Sequence, residues 1–291
     1  MGDDDLEKDV DKEINWILFG TGPAMVEAFR KGDLDIGYMG LPPAIIGIDK
    51  GVPIKCVAGG HVEGTIAIGK TGHKSIIDLN NDMYEVLAQF KGCAIGTPSV
   101  GSIHDAILNY YLEKTNLKKK IEVKNYKQAE FIALDMKRGI LEGGVGTPAL
   151  AVFAKTLLDS HLIIPPEFLL PDNPSYGIFF HENLIENFPE IVIKFLSHHK
   201  KASYLLRNSR NKAAEKIAST FSILNKDYAK TILDISPKYC IALSEGYINS
   251  TMGFVNTLYK LGYIKKQIST EDIFNFNIIK EVHPEKDHYS K

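Results

Sequence analysis

Residues Gly96-Thr-Pro-Ser-Val-Gly-Ser102 place three hydroxyls and two glycines in seven positions, directly ahead of a helical pattern from Ile103 to Thr115. Glycines let a ligand approach the backbone, hydroxyls add donors, and the unpaired N–H groups of a helix start favour negative charge. The chemistry this suits is capture of a small anion by Thr97, Ser99, Gly101 and Ser102, with no obligatory Lys or Arg. Gly-Lys-Ser/Thr is absent, so it is not a nucleotide phosphate loop, and no Gly-x-Gly-x-x-Gly opens a helix. His104 follows Ser102 closely and is a candidate donor to the same anion.

Three further turns have the same form. Gly20-Thr-Gly-Pro23, Gly40-Leu-Pro-Pro43 and Gly146-Thr-Pro148 each precede a helical pattern and carry Pro where a first helical turn accepts it. They nominate Thr21, Gly22, Gly40, Leu41, Pro42, Gly146 and Thr147 as ligand contacts. His61-x-Glu63 follows a strand-like run, which puts both side chains on one face as polar contacts. Tyr176 is an aromatic candidate for a pocket wall. Catalytic signals are thin: neither Gly-x-Ser-x-Gly nor His-Glu-x-x-His occurs. Cys56, Cys93 and Cys240 lack metal-like spacing, and Cys56 and Cys93 sit in apolar, strand-like runs and read as small buried hydrophobes, so neither a metal nor a cofactor is expected.

These turns need strands ending in front of them. Residues 13–60 alternate strand and helix signals: strands at Glu13–Phe19, Leu34–Met39 and Ile54–Ala58, helices at Ala24–Lys31 and Ala44–Lys50. A second unit repeats the alternation from Cys93 to Ile164. Alternation of this kind predicts α/β lobes with mostly parallel sheets, and ligands bind beyond the carboxyl ends of such strands. Arg30-Lys-Gly-Asp-Leu-Asp-Ile-Gly-Tyr-Met-Gly-Leu-Pro42 and Lys137-Arg-Gly-Ile-Leu-Glu-Gly-Gly-Val-Gly-Thr-Pro148 repeat one another at an offset of about 107 residues. The repeat predicts two similar lobes with a cleft between them.

The expected division is lobe one at 1–67, lobe two at 68–178, and a return to lobe one with C-terminal helices at 179–291. Extended crossings are expected near 66–70 and 176–182. Beyond residue 188 apolar residues recur at helical spacing. The polar stretch after His283 reads as a frayed end.

Composition bounds the function. The 291 residues carry 34 basic and 36 acidic side chains, a net charge of −2, which does not suit a nucleic-acid binder. No apolar run reaches the ~18–20 residues of a membrane span. With 14 Phe and 13 Tyr the chain is no disordered polymer. The acidic start, Met1 to Asp9, lacks the apolar stretch of a secretory signal, which predicts a cytoplasmic protein if that start is native.

Phe19-Gly-Thr-Gly-Pro23, Gly32-Asp-Leu-Asp-Ile-Gly37, Gly40-Leu-Pro-Pro-Ala44 and Gly51-Val-Pro-Ile54 resemble the first lobe of substrate-binding proteins of ABC importers for nitrate, aliphatic sulfonates, taurine and bicarbonate. Lys91-Gly92, the 96–102 loop and Pro189-Glu-Ile-Val-Ile-Lys-Phe195 resemble the second lobe and the helix after it, so the likeness covers roughly residues 14–265. The resemblance implies a two-lobed, periplasmic-binding-protein-like (type II) fold with a small oxyanion in the cleft. Its implied partners are a small anionic solute and ABC-transporter permease subunits, and its implied compartment is extracytoplasmic. The turns at Thr21–Gly22, Gly40–Pro42, Thr97–Ser102 and Gly146–Pro148 match cleft positions of that family. Two departures stand out. The family's opening strand–helix unit and signal are missing before Ile14, and Gly146-Thr-Pro148 stands where many members have an aromatic or acidic contact. Two other readings of the same fold are a cytosolic enzyme, like those of thiamine-pyrimidine synthesis or small-acid lyases, and a degenerate, non-binding interaction protein.

Overall fold

The computed structural model describes residues 4–221 and 224–289. In chain order the first part holds α1 (Asp4–Val10), α2 (Gly22–Lys31), β1 (Ile36–Met39), α3 (Leu41–Asp49) and β2 (Ile54–Val62). The middle holds β3 (Ile66–Gly69), α4 (Met83–Ala88), β4 (Ala94–Pro98), α5 (Ile103–Lys114), β5 (Glu122–Tyr126), α6 (Glu130–Lys137), β6 (Gly143–Gly146), α7 (Pro148–Leu158) and β7 (His161–Ile164). Then come β8 (Pro174–His181) and helices α8 (Glu182–Asn187), α9 (Pro189–Asn208), α10 (Arg210–Thr220), α11 (Lys226–Ile235), α12 (Glu245–Lys260), α13 (Thr270–Ile273) and α14 (Asn277–Val282).

The strands form two sheets, ordered β1-β8-β2 and β5-β4-β6-β3-β7. Within the larger sheet β4 pairs parallel with β5 and β6, whereas β3 runs antiparallel to β6 and β7. In the smaller sheet β8 inserts antiparallel between β1 and β2. The antiparallel members, β3 and β8, are the strands next to the crossings. The chain leaves the small sheet between Val62 and Ile66 and returns between Ile164 and Pro174. Residues 174–178, assigned from sequence to lobe two, therefore pair in the sheet of lobe one.

The sequence repeat has a structural basis. Helices α2 and α6 both end at a left-handed glycine, Gly32 (φ +80°) and Gly139 (φ +77°). Each is followed by a four-residue strand and then a helix with Pro in its first turn. A left-handed residue after the helix costs a Cβ-free glycine little, and it turns the chain into the next strand.

Leu41, Ile45, Ile54, Cys56, Phe179, Tyr247 and Phe254 form part of a buried cluster that continues through Ile103, Ile107 and Leu112 of α5, so the lobes share one core. On the other face of the small sheet Val57, Ile178 and Phe180 pack against Val192, Phe195 and Leu196 of α9. Burying each such side chain contributes about 1.5–3 kcal/mol.

Three expectations are corrected. The sheets are not mostly parallel: of the strand pairs among the described residues, only those that β4 makes with β5 and β6 are parallel, because β3 and β8 enter their sheets from the crossings and run antiparallel to both of their partners. Glu13–Phe19 forms no strand; it is irregular, with Trp16, Ile17 and Leu18 exposed by 41, 54 and 74%. Leu6 and Val10 seat α1 in the cluster that includes α9, and Glu7 Oε1 accepts the Ile14 N–H at 2.9 Å, which redirects the chain as the run begins. Nor is the end frayed as far as residue 289. Tyr289 is buried, and its hydroxyl donates to the carbonyls of Cys240 (2.7 Å) and Ala242 (2.9 Å).

Candidate functional site

Four helix starts carry the candidate loops: α2 behind Thr21, α3 behind Gly40, α5 behind Ser102 and α7 behind Thr147. The lobes meet at the first and third. Ser99 Oγ of lobe two donates to Thr21 Oγ1 of lobe one at 3.4 Å, and it also lies 3.3 Å from the Tyr126 carbonyl. A Cβ on Gly40 would stand 3.0 Å from Ile103, and one on Gly101 2.9 Å from Ile46 Cδ1. Thr21, Gly40, Ser99 and Gly101 thus meet along one seam, with Gly22 and Ser102 adjacent to it in the chain, and Leu41 and Pro42 are buried.

The helix starts differ in what occupies their donors. At α5 the Ser102 hydroxyl accepts the Asp105 N–H (3.2 Å), and the Gly101 N–H donates to Asp105 Oδ2 (2.9 Å). Asp105 is buried and also accepts from Tyr263 Oη (2.7 Å), Asn109 Nδ2 (3.0 Å) and Asn125 Nδ2 (2.9 Å). An internal carboxylate therefore already stands in the first turn of this helix, where the dipole favours negative charge, and takes up the Gly101 N–H of the loop. Burial holds the Tyr263 phenol above the ordinary range, and the hydrogen bond to Asp105 and its charge add to the effect.

Thr21 and Thr147 behave differently. Each is the N-cap of its helix, and neither side chain accepts a capping bond. A threonine in that position ordinarily caps; here both hydroxyls are left to other partners, and Thr147 is exposed. Thr97 adds a third group: its hydroxyl is fully buried without a hydrogen-bond partner among the described residues. A buried hydroxyl left unpaired costs about 1–3 kcal/mol, a cost that a ligand acceptor would remove. Gly146 lies buried in front of Thr147, against Leu150.

His61, Glu63, His104 and Tyr176 sit at the crossings and are engaged there. Glu63 adopts φ +57°, its N–H donates to the Asn173 carbonyl (2.8 Å), and its Oε1 accepts the Asp172 N–H (3.1 Å). Its other oxygen pairs with Lys238 Nζ at 2.7 Å. The Gly64 N–H donates to Ser175 Oγ, so the two crossings are tied directly to each other. His61 Nε2 lies 2.8 Å from Ser236 Oγ and 3.0 Å from the Ser236 carbonyl, with its ring stacked on Tyr239 at 4.3 Å. His104 Nδ1 meets Thr65 Oγ1 at 2.9 Å. Burial lowers both imidazoles to about 4, so both are neutral at pH 7. The Tyr176 ring, half-buried, packs edge-on to Tyr38 and lies over Gly60.

Sequence reading missed Asp105, Ser236, Lys238 and Tyr239. Asp105 had a local signal, since Ser102-x-x-Asp105 is a capping pattern. The other three come from a segment more than 170 residues away from His61 and carry no local signal.

Residues 1–222 match the NMT1-like family. A search of curated protein sequences returns no match. Among solved structures, the chain is similar to the ligand-binding component of an ABC-type import system from Staphylococcus aureus, a structure with zinc bound. The TM-score is 0.78 at 14% identity, over 96% of this chain and 94% of that one. It is also similar to the alkanesulfonate-binding protein SsuA from Xanthomonas axonopodis pv. citri bound to MOPS, with TM-score 0.76, 17% identity, and 92% and 90% coverage. The periplasmic nitrate-binding protein NrtA from Synechocystis PCC 6803 follows at TM-score 0.72, 10% identity, and 91% and 78% coverage. The two-lobed fold, with sheets joined by two crossings, is that of periplasmic-binding-protein-like substrate-binding proteins, and the chain belongs to the NMT1-like family.

Proposed function

We propose that this chain is the solute-binding component of an ABC-type importer and takes a small oxyanion, such as a sulfonate, nitrate, bicarbonate or related organic acid, between its lobes. The observation that carries the reading is the pairing of Ser99 with Thr21 across the seam. Each lobe offers a hydroxyl, Thr21 heads a helix it does not cap, and the buried Thr97 hydroxyl lies two residues before Ser99 without a partner among the described residues. Hydroxyls and helix N–H groups bind an oxyanion without a fixed cation. Because Asp105 takes the Gly101 N–H and its own N–H engages the Ser102 hydroxyl, the weight of anion binding falls on Thr21, Ser99, Thr97 and Thr147, with the α2 and α7 starts supplying the dipoles. Structural neighbours that bind alkanesulfonate and nitrate support the ligand class. A transporter's permease subunits are the corresponding partners, and the working compartment lies outside the cytoplasmic membrane. No helix among the described residues is long and apolar enough to cross a membrane.

Binding without chemistry agrees with the state of the histidines. His61 and His104 are buried, neutral and hydrogen-bonded inside the crossings, which leaves neither positioned as a proton-transfer group. A thermal-shift screen against sulfonates, nitrate, bicarbonate, carboxylates and pyrimidine precursors tests the reading. A ligand at a hundredfold excess over Kd stabilises by about 2.7 kcal/mol. Stabilisation by an oxyanion supports the proposal; stabilisation by a pyrimidine precursor alone favours the enzyme reading, and a flat screen overturns solute binding.

A further inference from the structure

Cys240 lies more than 40 residues before His283 and His288, and the three converge in space. Their ligating atoms all lie within 4.8 Å of one another. Cys240 Sγ stands 3.6 Å from His283 Nε2 and 3.4 Å from His288 Nδ1. A tetrahedral zinc centre with Zn–S about 2.3 Å and Zn–N about 2.0–2.1 Å separates its sulfur and nitrogen ligands by about 3.5–3.6 Å. The observed spacing matches that figure.

The surroundings are those of a supported site. Cys240 and His283 are buried and His288 is half-buried, so the cluster is shielded yet open on one side. A Glu285 oxygen lies 3.0 Å from His283 Nδ1, on the ring nitrogen that points away from the cysteine, and is itself held by Lys200 at 2.6 Å. The approach lacks hydrogen-bond geometry, and His283 Nδ1 has no hydrogen-bond partner among the described residues. The segment carrying His288 is anchored next door, through the Tyr289 hydroxyl on the Cys240 and Ala242 carbonyls. The segment of His288 is thus brought to the thiol by hydrogen bonds that need no ion.

We propose that Cys240, His283 and His288 form a binding site for a thiophilic divalent transition metal, zinc above all, which ties the C-terminal segment to the strand-like stretch at Tyr239–Ala242. One thiolate and two imidazoles suit zinc better than magnesium or calcium, whose ligands are oxygens. Three protein ligands leave a fourth position for water or an incoming group. On binding, the Cys240 S–H bond breaks, the sulfur's electron pair goes to the metal, and one proton is released to solvent per ion. None of the three residues belongs to the seam of Thr21 and Ser99, so the site stands independently of anion binding.

The test is zinc and cobalt titration of the reduced, metal-free full chain and of Cys240→Ser, His288→Ala and the control Cys93→Ser. Expected are one equivalent of zinc, release of one proton, and a thiolate-to-cobalt charge-transfer band in the parent and in Cys93→Ser. Cys240→Ser should lose the band and His288→Ala at least a hundredfold in zinc affinity. Since His288 is half-buried, its variant tests the site even if Cys240→Ser fails to fold. Absence of stoichiometric zinc binding by the parent overturns the proposal, as does a His288→Ala protein that binds zinc like the parent or a cobalt complex without the thiolate band.

Discussion

Ser99 and Thr21 face each other across the seam between the lobes, hydroxyl to hydroxyl at 3.4 Å. A neutral bond of that length contributes little to folding, under about 1 kcal/mol. Ser99→Ala should therefore shift Tm by no more than about 2 °C in a chain this large, while weakening the bound oxyanion. Gly101→Val is the contrasting change. Gly101 has φ +78°, and a Cβ there would meet Ile46 at 2.9 Å, so valine should cost about 1–3 kcal/mol of stability. Paired thermal melts check this; equal melting of the two variants would contradict it.

Gly60 lies beneath Tyr176, where a Cβ would fall 1.9 Å from the tyrosine ring. Gly60→Ala forces the ring to move and should destabilise by roughly 1–3 kcal/mol. Adding Tyr176→Ala removes the obstacle, so the double variant should lose less than the sum of the two single losses. A double-mutant cycle by urea denaturation measures this coupling, and strict additivity would show that the ring does not enforce the glycine.

Asp105 accepts four hydrogen bonds, from Gly101, Tyr263, Asn109 and Asn125. Asp105→Ala leaves those donors unpaired in a buried place, with an expected loss of about 3–5 kcal/mol. Denaturant midpoints decide; a loss under about 1 kcal/mol would mean that water replaces the carboxylate readily.

Acid should destabilise the protein through its histidines. Burial lowers His61, His104 and His199 from 6.5 to about 4 in the folded chain. Below 6.5 the unfolded chain takes up protons at these positions that the folded chain refuses. Their stabilising contribution is therefore complete above 6.5 and is lost as pH falls toward about 4. The slope of stability against pH in that window should approach three protons from these residues. His61→Gln should reduce it by about one. An unchanged slope in the variant would contradict the assignment.

What was legible in the sequence is what local chemistry decides. The Gly32 and Gly139 stops, the Pro-headed helices and the hydroxyl-rich turn after Thr97 are all set by neighbours within a few residues. Glu13–Phe19 misled because a β-like run becomes a strand only when another strand accepts its hydrogen bonds, and the chain is turned aside at Ile14. The tail after His283 misled in the opposite sense. Its polarity suggests fraying, but Tyr289 finds carbonyl acceptors at Cys240 and Ala242, more than 40 residues earlier. His61 and Glu63 were visible as a polar pair, whereas their partners Ser236 and Lys238 arrive only through the tertiary fold.

The most direct test of the account is calorimetric titration of the oxyanion found by the screen into the parent and into Thr21→Val. Threonine and valine have similar shapes, and the Thr21 hydroxyl caps no helix, so the variant should fold like the parent. Loss of one hydroxyl from a charged ligand costs about 1.5–3 kcal/mol, or roughly ten- to a hundredfold in Kd. The account predicts one site per chain in the parent and that weakening in Thr21→Val. Parent-like affinity in the folded variant, or no oxyanion bound by the parent, would contradict it.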